Sequence, residues 1–182
     1  MLAMMRTPSD SKQSGFSMVE MMVATLILSI GILSLAALQA SSMRSTHLAY
    51  TRTQAGIATM EMAERMRANL VGVETNGYIN VSSPPAGTAP TSCLTNTCSA
   101  AEVAADDIYQ WLLSLQNSSD LLSARGTVLC TVSDTTDLDA CTNGSLHDIT
   151  VMWDGRRNGA TGTGCNSAVS TDLICYRIRI RP

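Results

Sequence analysis

Hydrophobic positions crowd toward one end of the chain. Between Glu20 and Arg44 lie 23 consecutive residues without a charge, MMVATLILSIGILSLAALQASSM. As a helix this run spans roughly 35 Å, enough to cross a bilayer core of about 30 Å. An ordinary secretory signal fits poorly, because its apolar region is shorter and ends at a small-residue cleavage site. Only Ser34-Leu35-Ala36 loosely resembles such a site. A tail anchor is excluded by the N-terminal position. The residues before the run, MLAMMRTPSDSKQSG, are polar, contain Pro8 and end in Gly15, so they read as a leader.

Past the run the pattern changes to a helical stripe. Leu48, Ala55, Met62, Met66 and Leu70 recur at helical spacing, with no proline from Arg44 to Asn69. Glu61 with Arg65 and Glu64 with Arg67 supply ion pairs along the same helix. From Phe16 to Asn69 is 54 residues, about 80 Å if wholly helical. Gly72 is the expected stop. The Met stripe reads as core packing.

Beyond Gly72 the elements are shorter. Residues 72–99 are rich in Gly, Pro, Ser, Thr and Asn and read as a connecting loop. Residues 100–116 (AAEVAADDIYQWLLSLQ) read as a second helix, capped by Ser99 with Glu102 in its first turn. Val103, Ile108, Trp111, Leu112 and Leu115 would form its buried side. Strands are expected at 127–132, 148–153 and 174–180. DTTDLDACTNGS, with the turn-prone Asn143-Gly144, joins the first two, and GRRNGATGTGCNS the last two. Short strands joined by loops predict a small antiparallel sheet, whose apolar face needs a helix to cover it. The fold class is therefore α+β.

Composition changes this picture in two ways. Twelve basic against fifteen acidic residues give a formal net charge of −3, which excludes a nucleic-acid binder driven by bulk charge. The six cysteines, Cys93, Cys98, Cys130, Cys141, Cys165 and Cys175, all lie downstream of the apolar run. None are spaced C-x2-C and only two histidines exist, so zinc or thioredoxin-like readings are weak and no metal or cofactor is expected. An oxidising compartment would make them disulfides, which places the N-terminus in the cytoplasm. Arg6 and Lys12 before the run and Arg44 and Arg52 after it leave the positive-inside rule indecisive. Six cysteines allow 15 connectivities. Neighbour pairing, Cys93–Cys98, Cys130–Cys141 and Cys165–Cys175, is the arrangement expected, and it would staple three loops.

Candidate chemistry is sparse. The glycines of GRRNGATGTGC lack the G-K-[ST] of a phosphate loop, and His147-Asp148 has no nucleophile motif beside it. Asp106-Asp107 lacks a catalytic partner, and Asp134, Asp137 and Asp139 lack calcium-loop spacing and read as solvated turn acids. No enzyme is expected. Arg177, Arg179 and Arg181 alternate with Tyr176, Ile178 and Ile180, so on a strand the guanidiniums share one face. That face is either a charged edge that resists aggregation or a docking surface for an acidic partner or DNA phosphate, to which Arg156 and Arg157 add charge. Nothing in the residues is specific for nucleic acid.

Glu20 opens the apolar run. It closes an S-x-x-E capping box with Ser17, or it is a functional acid that needs a partner within the membrane. GFSMVEMMVATLILSIGILSLAALQ resembles the processing and anchor region of type IV prepilins. The resemblance implies a leader over 1–15, cut by a prepilin peptidase between Gly15 and Phe16. It implies N-methylation of Phe16, with Glu20 supporting methylation and subunit assembly. The Glu20 carboxylate of one subunit would neutralise the Phe16 amine of its neighbour, a pair tolerated in apolar surroundings and costly when separated.

The segments GILSLAALQ and AGIATMEMAERMRAN further resemble the PilV group of minor pilins. The implied plan is a transmembrane and assembly half-helix over 16–43, an amphipathic half over 44–71, and a disulfide-bearing head over 72–182. The implied role is a minor pilin in a priming or tip complex, supporting pilus biogenesis, twitching motility and adhesion. Its partners would be other minor pilins, the major pilin and the inner-membrane assembly machinery. The chain would sit in the bacterial inner membrane with the head periplasmic, then in the extracellular pilus. The alternatives are a minor pseudopilin of a type II secretion system, or a pilus-linked receptor for DNA or an adhesion target that uses the arginine face.

Overall fold

A computed structural model describes residues 15–79, 81–82, 89–131, 141 and 145–182. Helix α1 runs Met18–Ala68, α2 Leu70–Glu74 and α3 Ala100–Gln116, with strands β1 Val81–Ser82, β2 Arg125–Thr131, β3 Leu146–Trp153 and β4 Ile174–Ile180. The chain divides into two compact units, residues 1–45 and 46–182.

In the first unit, α1 begins where the Met21 N–H donates to the Ser17 carbonyl at 3.2 Å. Its side chains up to Met43 are exposed and almost wholly apolar, with a mean hydropathy of 2.4 over the most apolar window. Thr25, Ser29 and Ser34 turn their hydroxyls onto carbonyls of the preceding turn, so these polar groups are satisfied without water.

In the second unit, α1 buries one stripe, Thr51, Ala55, Thr59, Met62, Ala63 and Met66. The threonines are admitted because Thr51 donates to the Leu48 carbonyl and Thr59 to that of Gly56. Small residues at 51, 55, 59 and 63 alternate with Met62 and Met66, which fill the gaps. Leu48 is only half-buried and Leu70 is exposed, contrary to the expected stripe. Gly72 is not the stop either. The helix ends at Ala68 because Asn69 leaves helical geometry and caps α2, its Oδ1 accepting from the Gly72 N–H at 3.1 Å. That break turns Leu70 off the buried face. Gly72 lies inside α2, where a Cβ would stand 3.0 Å from the Ala100 carbonyl and closer still to the Asn69 amide.

The sheet is antiparallel, in the order β1-β2-β3-β4. Beyond the three expected strands it gains β1, a two-residue strand inside the stretch expected to be loop, in which Val81 pairs with Val128. Two-residue strands carry too few positions for an alternation to show. Strand β2 starts two residues earlier than expected, and β3 likewise. The expected Asn143-Gly144 turn, Val132, and Asp134, Asp137 and Asp139 lie outside the described residues.

One sheet face carries Val128, Ile149 and Val151 and packs with α1 and α3 into a single core. From α3 come Trp111, Leu112 and Leu115. Ile108 is half-buried against this core, whereas Val103 gives way to Ala104 and Asp106 on the buried side. The Trp111 indole N–H donates to the Ala58 carbonyl of α1 at 2.8 Å, so one side chain ties both helices together. The opening of α3 is a full capping box: the Ser99 N–H donates to Glu102 Oε2 at 2.8 Å, and the Glu102 N–H to Ser99 Oγ. Those hydrogen bonds hold the Glu102 carboxyl below the usual carboxylate range.

Three disulfides join Cys93 to Cys98, Cys130 to Cys141 and Cys165 to Cys175. The last ties the β3–β4 connection to β4. A second, smaller core of Met152, Ala160 and Leu173 lies beside it.

Candidate functional site

The segment from Gly15 to Glu20 brings the expected processing residues together. Gly15, Phe16 and Ser17 precede α1 outside any regular element, and Phe16 is 80% exposed. Glu20 lies in the first helical turn, where the N–H groups without helical partners and the positive end of the helix dipole favour an anion. It is the only charge in the first 26 residues of α1. In hydrocarbon, a carboxylate there requires a cation to accompany it.

Lower on α1 a second stripe is left uncovered. Ile57 and Met60 are more than half exposed and, with Gly56, Tyr176 and Ile178, line a groove of about 730 Å³ between α1 and β4. Arg52 stands in this groove with Glu61 and Glu64. The two acids are paired within the helix, to Arg65 at 2.7 Å and to Arg67. Exposed helical pairs of this kind contribute only a few tenths of a kcal/mol, roughly 0.3–0.5.

A polar lock fixes α1 to α3. Asp107 receives the Tyr78 hydroxyl at 2.6 Å and an Arg65 Nη at 3.1 Å. Asn69 Nδ2 donates to the Tyr78 oxygen and to the Ala100 carbonyl. Burial, then the Asp107 carboxylate, push the Tyr78 hydroxyl well above its ordinary value, so it stays a donor. Asp106 is buried and accepts the Cys93 N–H at 3.1 Å, which holds the Cys93–Cys98 loop on α3.

The expected arginine face is not three equivalent guanidiniums. Arg179 is spent on Asp148 in a two-bond fork, Nε to Oδ1 at 2.6 Å and Nη2 to Oδ2 at 2.8 Å. That pairing holds the Asp148 carboxyl below its usual range. Arg177 donates through Nε to the Thr150 hydroxyl at 3.0 Å. Arg181 is exposed and lies past the end of β4. In the preceding loop Arg156 clamps backbone, donating to the Val169 and Ser167 carbonyls. The arginine that does share a recess with Arg177 is Arg125, from β2. It lies two residues before the expected strand start, so its face could not be assigned from alternation. Among the described residues no group of three or more metal-ligating side chains converges.

Residues 10–36 match the model of the prokaryotic N-terminal methylation motif, and residues 37–109 match the model described as type IV pilin Tt1218. The two matches adjoin, and with the apolar helix and the disulfide-bearing antiparallel head they agree with the type IV pilin plan. Within that class, the family the longer match names is the Tt1218-like pilins. No curated protein and no solved structure matches the chain. Gly15, Phe16 and Glu20 all fall within the methylation-motif match. The Tt1218-like match ends inside α3, before the strands β2 to β4.

Proposed function

We propose that the chain is a minor pilin of the type IV pilus, allied to the PilV group, that helps prime the filament and stays in its tip complex. The observation that carries the reading is Glu20, a single carboxylate in the first turn of a helix whose next 23 residues are uncharged and exposed. The prepilin peptidase cuts between Gly15 and Phe16 on the cytoplasmic side, and the new Phe16 amine is methylated. In the membrane the amine of one subunit then meets the Glu20 carboxylate of its neighbour. Paired, the two charges are tolerated in hydrocarbon; apart, each costs several kcal/mol, about 3 or more. The pair thereby selects one axial register between adjacent helices.

The head faces the periplasm, and later the outside, which suits its disulfides. The uncovered Ile57 and Met60 stripe gives it a face for neighbouring pilin heads. Partners on this reading are the major pilin, other minor pilins and the inner-membrane assembly machinery.

Replacing the acid tests it. Glu20→Ala should insert into the membrane as well as the parent chain, since it removes a charge from an apolar segment. It should be absent from, or strongly depleted in, sheared pili. Glu20→Ala recovered in pili at the parent's level would overturn the proposal.

A further inference from the structure

The sheet face turned away from the helices carries residues that the proposed function does not use. Strand register sets them in rows three strands wide: Arg125 beside Met152 and Cys175, Thr127 beside Thr150 and Arg177, Leu129 beside Asp148 and Arg179. Asp148 is the only carboxylate in these rows, and Arg179 engages both of its oxygens. Arg125 and Arg177 therefore form no direct ion pair among the described residues, although the charge of Arg177 also acts on Asp148 from a distance. Arg177 is held by the Thr150 hydroxyl through Nε alone, which leaves both Nη groups uncommitted.

These two arginines line a single recess of about 290 Å³ with the hydroxyl-bearing Thr127, Thr150 and Thr163, and Met152 on its wall. Each part specifies a ligand property. Two guanidiniums outside any ion pair, with donors in a planar fork, fit a carboxylate. Threonine hydroxyls, donor and acceptor at once, fit a neighbour rich in hydroxyls. The thioether takes the C–H face of a ring. The volume lies at the lower end of small-molecule sites and admits about one ring. We infer that this recess binds a carboxylate-bearing sugar, a uronic acid unit, held by Arg125 and Arg177. The inference stands whether or not the filament reading does, because it uses only the head.

The test is NMR of the full chain in detergent micelles, with the methionine methyls labelled with carbon-13. Met152 reports the recess. Glucuronate should shift its signal saturably, glucose should not, and inorganic phosphate should bind at least tenfold more weakly. Arg125→Gln should weaken glucuronate at least tenfold, as should Arg177→Gln, while Arg181→Gln leaves it unchanged. The Arg125 side chain makes no hydrogen bond or ion pair among the described residues, so its replacement leaves the fold in place and decides the case even if Arg177→Gln perturbs it. A uronate trimer binding as well as the monomer would point to a polysaccharide source, and monomer binding alone to the free sugar; both support the site. No saturable shift, phosphate binding as tight as glucuronate, or undiminished binding by Arg125→Gln would each overturn it.

Discussion

Gly126 has no side chain because the Trp111 ring occupies the space one would need. A Cβ there would stand 2.4 Å from the Trp111 ring and 2.9 Å from Leu115. Since Trp111 is fully buried and also anchored to the Ala58 carbonyl, the ring cannot step aside. Gly126→Ala should therefore destabilise the head by about 1–3 kcal/mol, read as a lowered denaturation midpoint in urea. An unchanged midpoint would show that the helix and sheet are not in this contact. His147 poses a different problem, 1% exposed with no well-formed hydrogen bond to either ring nitrogen among the described residues, though the Ser145 backbone stands beside it. Burial holds its pKa below the ordinary 6.5, so the unfolded chain takes up a proton that the folded chain resists. Its share of stability is full above the unfolded value and is lost as pH falls toward the folded one. Thermal unfolding should shift to lower temperature between pH 7.5 and 5.5, and His147→Leu should flatten that slope. Asp148, also depressed, acts only further into acid, below its usual 3.8. A slope unchanged in His147→Leu would place the proton elsewhere. Single residues were the least legible scale. Trp111 and the Ser99 cap stand out in sequence, but nothing in the letters says that Thr51 and Thr59 join the core, since their hydroxyls are satisfied only once the helix exists.

Among the elements, the connection between β3 and β4 depends most on a covalent tie. It carries Arg157 and Cys165 at positive φ, and its order comes from Arg156, Asp154 and Asp172 bonding to its backbone. Its own apolar core is only Met152, Ala160 and Leu173. The Cys165–Cys175 bond closes this loop with a sequence separation of 10. Cross-linking so short a loop stabilises by about 2–3 kcal/mol. Cys165→Ser with Cys175→Ser should cost that much in chemical denaturation, and a loss below about 0.5 kcal/mol would mean the polar clamps suffice. Elements were far more legible than residues. Ala100–Gln116 and Ile174–Ile180 fall where periodicity and capping place them. The failures have physical causes. Asn69 redirects the chain by capping a new helix, a choice that depends on Tyr78 and Ala100 arriving from elsewhere. Strand β1 exists only because β2 offers it an edge.

At the scale of the molecule, the proposed function separates along the chain: the first 45 residues would hold the processing and assembly chemistry, and the remainder is a disulfide-tied head. The apolar run is legible because membrane physics leaves few solutions for a long uncharged helix, whereas the roles of Gly15, Phe16 and Glu20 are implied only by the resemblance to prepilins. The head's surface chemistry was not legible, because which arginines stay free depends on where Asp148 and Arg125 stand across strands paired from distant sequence. The central claim is that Gly15 and Phe16 mark a processed pilin N-terminus. Mass spectrometry of the membrane-extracted protein, from cells with and without a prepilin peptidase, tests it most directly. The account predicts a chain beginning at N-methylated Phe16 when the peptidase is present, and an uncut leader when it is absent. An intact leader in both, or a cut near Ala36, would contradict it.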